Sequence, residues 1–398
     1  MNKYYAIIFS LLLFSSLFAE DISSTQKLAT ANNDFGFQLF HEISKQDAGK
    51  NIFISPTSIA IALDMTYNGA DGKTKQAMAK TLRIEELSLK QLNEANKTLK
   101  DILKKSDPKV TLNIANSLWA DIGTKFTSDF INLNKSYYDA ELATLNFADV
   151  NSPVIINKWV NEKTNGKIKK IIDKINEDVI AFLINAIYFK GKWQIAFDTN
   201  ETKQRPFYLL DGKEILHPMM SQSGNYLYLK NGRFQAIRLP YGKGDVGMYI
   251  FLPDTSSSLE EFLSNLNVKN WSDWVNLFSN HEGTITLPRF KIEYSKSLKD
   301  PLKNMGMDLA FDDSKADFSK MGTSNRKGRI YIGDVKHKTF VEVNEQGTEA
   351  TAVTAVQMEA KGMPMYEFTM IVDHPFFCSI VDNKTGAILF MGVITEPK

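Results

Sequence analysis

Two places in this 398-residue chain carry residue types at spacings that chemistry could use. Gly242, Gly244 and Gly247 spell GxGxxG, the pattern that lets a backbone approach a dinucleotide pyrophosphate. That fingerprint needs a strand before it and a helix N-terminus after it, because helix amides bind the phosphates. Here Leu239-Pro240-Tyr241 precedes it and the strand-like MYIFLP follows, so a glycine-rich turn between strands is expected. Cys378 lies four residues after His374, as a thiol nucleophile and its base would. On a strand four residues span roughly 13 Å, well beyond hydrogen-bond reach. Within FFCSIV, Cys378 reads as a buried core thiol, and as the only cysteine it excludes an intramolecular disulfide. His41, His217 and His281 stand at no metal-ligand spacing. No catalytic, cofactor or metal reading survives, and a hydrolase is disfavoured because no nucleophile–base pair is visible.

His337 is more informative, because its neighbours are apolar. Val335, His337, Thr339, Val341 and Val343 alternate onto one face of a strand, with Lys336, Lys338, Glu342 and Asn344 opposite. A buried imidazole there needs hydrogen-bond partners. The alternation should end in a short turn, yet roughly twenty residues pass before the next apolar run near Phe368, a length uncommon for structureless connections. The period of two continues through EQGTEATAVTAVQMEAK: Thr348, Ala350, Ala352, Thr354, Val356 and Met358 share one uncharged face, and Glu349, Gln357 and Glu359 lie opposite. The segment is patterned as a strand with small, buriable residues, able to slip between two other strands.

Several elements must hold this segment. Residues 28–44 read as an amphipathic helix and 51–54 as a short strand. Ser55 caps a helix through Tyr67, with Pro56 in its first turn. Further helices are expected at 71–82, 87–105, 128–138 and from 153 to 163, and a strand at 110–120. Residues 179–189 form an almost continuous apolar run, as a strand covered on both faces would. From 207 to 290 strands and turns dominate, broken by helices near 259–266 and 271–278. Strands 376–381 and 387–394 close as a hairpin.

No linker, repeat or low-complexity stretch divides the chain, so one α+β domain fits best, and 43% hydrophobic residues suffice for a large core. A net charge of +1 argues against nucleic acid as a partner. Lys3 precedes an apolar run from Tyr4 to Phe18, with Ala19 as a cleavage edge, so residues 1–19 read as a secretory signal peptide and 20–398 as the mature domain. Leu17 is larger than ideal for that cut. No later run could span a membrane. A secreted, extracellular monomer is expected, or a periplasmic one in a Gram-negative source. Sequons occur at Asn96, Asn134, Asn200, Asn270 and Asn383. In the 87–105 helix, Lys90, Lys97, Lys100 and Lys104 fall close to one face, a candidate site for glycosaminoglycan or another polyanion, diluted by Glu94 and Asp101.

EQGTEATAVT resembles the hinge of the serpins, serine-protease inhibitors whose reactive loop inserts into their own large sheet. NIFISPTSIAIAL, NAIYFKGKW, the His337 strand, VDHPFFCSI and GAILFMGVI resemble serpin segments in the usual order, across nearly all of residues 20–398. The resemblance implies a serpin fold: a large central, mostly antiparallel sheet, additional sheets, about eight or nine helices, and an exposed reactive loop over about residues 345–365. It implies a hinge at Glu345, Gly347, Thr348, Glu349, Ala350, Thr351, Ala352, Val353 and Thr354. Ser55, Ser58, Asn185 and His337 match the shutter, a polar cluster under the sheet, and Trp193 matches the breach where the loop first enters. An ordinary core histidine and core tryptophan are the plainer readings of the last two.

Counting Glu345 as the first residue, the seventeenth is Lys361, which places the reactive bond at Lys361–Gly362. A lysine before the bond suits trypsin-like proteases, whose specificity pocket carries an aspartate. Cleavage at Ala360, Met363 or Met365 would favour elastase- or chymotrypsin-like targets instead. Gly362 replaces the common serine, and Thr351 and Val353 are bulkier than alanine, though strands accept them. The expected function is irreversible inhibition of a serine protease through a covalent complex. The alternative is a non-inhibitory carrier, chaperone or storage serpin, disfavoured because Thr348, Ala350 and Ala352 are neither charged nor large.

Overall fold

The computed structural model describes residues 2–105, 107–255, 257–326, 329–348 and 366–398, with side chains from Ser23 onward. Loop residues Glu349, Ala350, Thr351, Ala352, Val353, Thr354, Lys361 and Gly362 therefore lie outside the described residues.

The central sheet has six strands. Its order is Phe290–Ser297, Ile332–Asn344, Gly347–Thr348, Ala181–Lys192, Val110–Asp121 and Glu141–Leu145. Most neighbours run antiparallel, but Ile332–Asn344 and Ala181–Lys192 pair directly and in parallel, with His337 beside Asn185. Parallel pairing is slightly weaker per residue. At one end these two strands part, and Gly347–Thr348 enters between them, antiparallel to both: Thr348 pairs with Val343 and with Gly191.

Both faces of the sheet are covered, which explains the unbroken apolar run of its middle strand. On one face the Ser152–Lys163 helix lays Ile156 and Val160 over Trp119, Phe182, Ile184 and Tyr188. On the other, Leu183, Ile187, Val335, Val341 and Val343 join the main core with the Pro56–Tyr67 helix. That helix is buried on every side; Pro56 opens it, and the Ser55 hydroxyl caps it by accepting from the Ser58 amide at 3.3 Å.

A nine-stranded sheet, a two-stranded ribbon and nine α-helices complete the described residues. The glycine-rich segment is the expected turn: Gly242 and Gly244 adopt positive φ between strands Phe234–Tyr241 and Val246–Pro253. Helix Asn2–Gln46 runs unbroken across the expected cleavage edge at Ala19. An apolar helical run always leaves that continuation open.

Candidate functional site

The parallel seam is closed by a buried polar cluster. His337, Asn185, Ser55, Ser58 and Thr339 are all fully buried. The His337 Nδ1 sits 2.5 Å from Asn185 Oδ1, and its Nε2 accepts the Ser55 amide at 3.3 Å. The ring is satisfied as the Nδ1–H tautomer. A second proton would point at an amide that already donates, and burial pushes the pKa down to about 3. The Asn185 amide nitrogen donates to Ser58 Oγ at 2.6 Å and to Asn116 Oδ1 at 2.5 Å. The cluster thus joins three strands to the helix beneath them. Asn116 and Thr339, whose hydroxyl donates to the Phe53 carbonyl at 2.5 Å, are members that the sequence reading omitted.

At the open end, Trp193 holds the entering segment. Its indole donates to the Asn344 carbonyl at 2.9 Å, and its amide donates to the Gln346 carbonyl at 3.0 Å. Its ring stacks on Tyr241 at 4.4 Å. The Tyr241 and Thr348 hydroxyls lie 2.7 Å apart, and both residues are 0% exposed. Burial drives the Tyr241 pKa well up, against the pull of Thr348, so the phenol stays neutral. Gly347 has φ +138, and a Cβ there would meet the Gly191 carbonyl oxygen at 2.0 Å, so only glycine fits.

Glu345 is 4% exposed and bonds Arg289 and the Thr202 hydroxyl. Desolvation raises its pKa, but the hydrogen bonds from Arg289 and Thr202 prevail and hold it below the usual range. Glu345 and Thr348 are both buried, Thr348 through its pairing with Val343 and Gly191. Tyr241, Arg289 and Thr202 were invisible as partners; the alternation leading into Tyr241 was the only available signal.

The lysine face on helix Leu89–Lys105 is largely neutralised. Lys100 is buried, and Lys100 and Lys104 both bond Asp139, at 3.1 and 2.8 Å. Lys90 pairs with Glu94 at 3.8 Å, which leaves Lys97 the least compensated. Asn96 and Asn134 are fully buried and unsuited to carry a glycan. Cys378 is buried and its thiol pKa is pushed up by desolvation, as for an inert core thiol. Among the described residues no cluster of His, Cys, Asp or Glu could hold a metal ion.

One arrangement departs from the expectation that no nucleophile–base pair exists. Ser279 Oγ lies 2.9 Å from His281 Nε2, and His281 Nδ1 lies 2.6 Å from Glu367 Oε2. Alternate strand positions put Ser279 and His281 on one face, and Glu367 arrives from the neighbouring strand. The row lies on exposed surface, the Glu367 side chain being 56% accessible, and it ties down the segment that follows the loop.

The site is thus a sheet with a parallel seam, a polar cluster beneath it and a two-residue strand seated between the seam's parted ends. Residues 30–397 match the serpin family, described as serine protease inhibitors. A leukocyte elastase inhibitor of Xenopus tropicalis is 35% identical over 383 residues, spanning 94% of this chain and 100% of that protein. Serpin B11 of Homo sapiens is 33% identical over 393 residues, spanning 93% and 99%. The crystal structure of the thermophilic serpin tengpin in its native state aligns with a TM-score of 0.87 at 34% identity, over 93% of this chain and 94% of that one. The chain belongs to the serpin family.

This kinship overturns the expected compartment. Serpin B11 and the leukocyte elastase inhibitor belong to the class B serpins, which are intracellular proteins. The reading of this chain as secreted, extracellular or periplasmic does not stand.

Proposed function

We propose that this serpin is a suicide-substrate inhibitor of trypsin-like serine proteases, with Lys361–Gly362 as the reactive bond. The observation that carries the reading is Thr348, buried and paired on both sides at the mouth of the parallel seam. The protease serine attacks the Lys361 carbonyl and forms an acyl-enzyme. Cleavage frees the loop from its C-terminal tether, and the strand begun by Gly347 and Thr348 continues down the seam.

Insertion replaces one parallel pairing with two antiparallel ones, the geometry Thr348 already has. Ten to fifteen new backbone hydrogen bonds, each on the order of 1 kcal/mol net, give a driving force of order 10 kcal/mol. The His337–Asn185 clasp must open for the strand to pass. The acylated protease is carried along and distorted before water can release it, so the outcome is a race between insertion and deacylation. In this reading Ser55, Ser58, Asn185 and His337 form the shutter, Trp193 the breach, and residues 345–354 the hinge.

Incubation with a protease panel, followed by denaturing gels and N-terminal sequencing of the released peptide, tests the proposal. A trypsin-like enzyme should give a denaturant-resistant complex and a short peptide beginning at Gly362. A peptide beginning elsewhere refutes the assigned bond, and cleavage without any complex refutes inhibition.

A further inference from the structure

A strongly positively charged cavity lies beside the seam, away from the lysines of the Leu89–Lys105 helix. It encloses about 490 Å³ and is lined by Lys167, Lys169, Lys170, Lys291 and Lys338, with Glu293 the single acidic residue in its wall. Phe340 forms its floor: the Lys167 and Lys291 ammonium groups sit 5.8 and 5.4 Å from the ring centre. A cation over an aromatic face is held in place beside the hollow. Some of the charge is answered locally. Lys338 pairs with Glu293, Lys170 with Asp173, and Lys291 reaches Glu342 at 3.8 Å. Lys169 is exposed and has no ionic partner among the described residues. Five ammonium groups around one hollow repel one another, and an anion in the hollow relieves all of them together.

The walls of this cavity come from the two sides of the seam. Lys167, Lys169 and Lys170 follow the Ser152–Lys163 helix, and their segment is anchored by Ile168, Ile171 and Ile172 in one apolar cluster. That cluster includes Ala115 and Trp119 of Val110–Asp121, and Phe182 and Tyr188 of Ala181–Lys192. Lys291 and Lys338 stand on Phe290–Ser297 and Ile332–Asn344, across the seam. Phe340 is the one residue of those two strands in that cluster. The Lys338 ammonium makes a polar link across the cavity, donating to the Lys170 carbonyl at 2.6 Å.

We infer that this cavity is a binding site for a compact polyanion bearing phosphate or sulfate groups, and that such a ligand, gripped from both sides of the seam, slows opening of the sheet. The site itself stands without any inhibitory activity. The braking effect rests on the loop-insertion reading above.

Calorimetric titration of the intact protein at low ionic strength, with pyrophosphate in one arm and a heparin-derived sulfated disaccharide in the other, tests the site. Saturable one-to-one binding of at least one probe is expected, weakening as salt screens the lysines. The preferred probe identifies the ligand as phosphate or sulfate. Lys169→Glu and Lys291→Glu, one from each wall, should each weaken binding about tenfold or more, the scale of one charge-assisted contact. A Lys90→Glu/Lys97→Glu control on the distant helix should bind as the parent does. Saturable binding of neither probe overturns the site, as does binding that the two cavity variants leave unchanged. With a protease that forms the covalent complex, saturating probe should slow complex formation by the parent and not by Lys169→Glu. An unchanged rate at saturation overturns the brake while leaving the titration result standing. Failure to find any such protease bears on the proposed inhibition, not on the binding site.

Discussion

Nδ1 of His337 lies 2.5 Å from Oδ1 of Asn185, joining two parallel strands at the level where they sit side by side in register. The bond requires a neutral imidazole, because the other ring nitrogen already accepts the Ser55 amide. The clasp on the seam is therefore sensitive to protons.

The expected pH dependence has two opposing parts. His337 titrates near pH 3 when folded and near 6.5 when unfolded, so the unfolded chain binds the extra proton between those values. Its contribution to stability falls as pH drops through that window, by about 1.4 kcal/mol per unit at full slope. Asp64 behaves oppositely. Burial raises its pKa to about 7 against one hydrogen bond from Asn96, so the folded state holds the proton and stability falls as pH rises from about 4 to 7. The parent should show a shallow profile between pH 4 and 6.5. Asp64→Asn should steepen the loss on acidification, and His337→Gln should convert it to a loss on alkalinisation. Urea unfolding of the three proteins at four pH values reads both slopes; parallel profiles would refute the pairing.

Arg289→Ala should loosen the segment around Glu345. It leaves the nearly buried Glu345 carboxylate with Thr202 as its remaining side-chain partner, at a cost of about 1–3 kcal/mol. A lowered urea midpoint should accompany faster limited proteolysis between residues 345 and 348. Arg289→Lys should recover part of the loss as a point charge.

Thr348→Arg tests whether insertion runs through this hinge. A guanidinium cannot occupy the fully buried site against Tyr241 without expelling the segment. The proposed recognition at Lys361 is untouched. The variant should be cut at a normal rate, release active protease and form little covalent complex. Inhibition equal to the parent's would exclude this route. Tyr241→Phe is the milder partner, expected to cost about 1 kcal/mol by leaving the Thr348 hydroxyl without its bond.

Cleavage anywhere within residues 355–365 should raise the unfolding temperature, because the released strand fills a seam that is otherwise a weaker parallel pair. A nick in an ordinary loop is neutral or destabilising. Calorimetry of the cleaved and intact protein decides between them, and an unchanged temperature counts against insertion.

By itself the sequence determined what is periodic or local. The alternation from Val335 to Val343 produced the strand, Ser55-Pro56 produced the start of the buried helix, and the apolar run ending at Phe189 produced a strand covered on both faces. Of the small uncharged face that begins at Thr348, the described residues reach Thr348 itself, which is paired in the sheet. Each signal lies within a few residues of its consequence, where backbone geometry fixes which side chains share a face. Tertiary structure alone decided the partners: Tyr241 for Thr348, Arg289 for Glu345, Asp139 for Lys100, and the five lysines around Phe340. The first three pairs are 107, 56 and 39 residues apart. Nothing in an amphipathic pattern says which face meets which, because burial rewards any apolar surface alike, whereas a hydrogen bond or a charge is satisfied only by the group that the completed fold brings within about 3 Å.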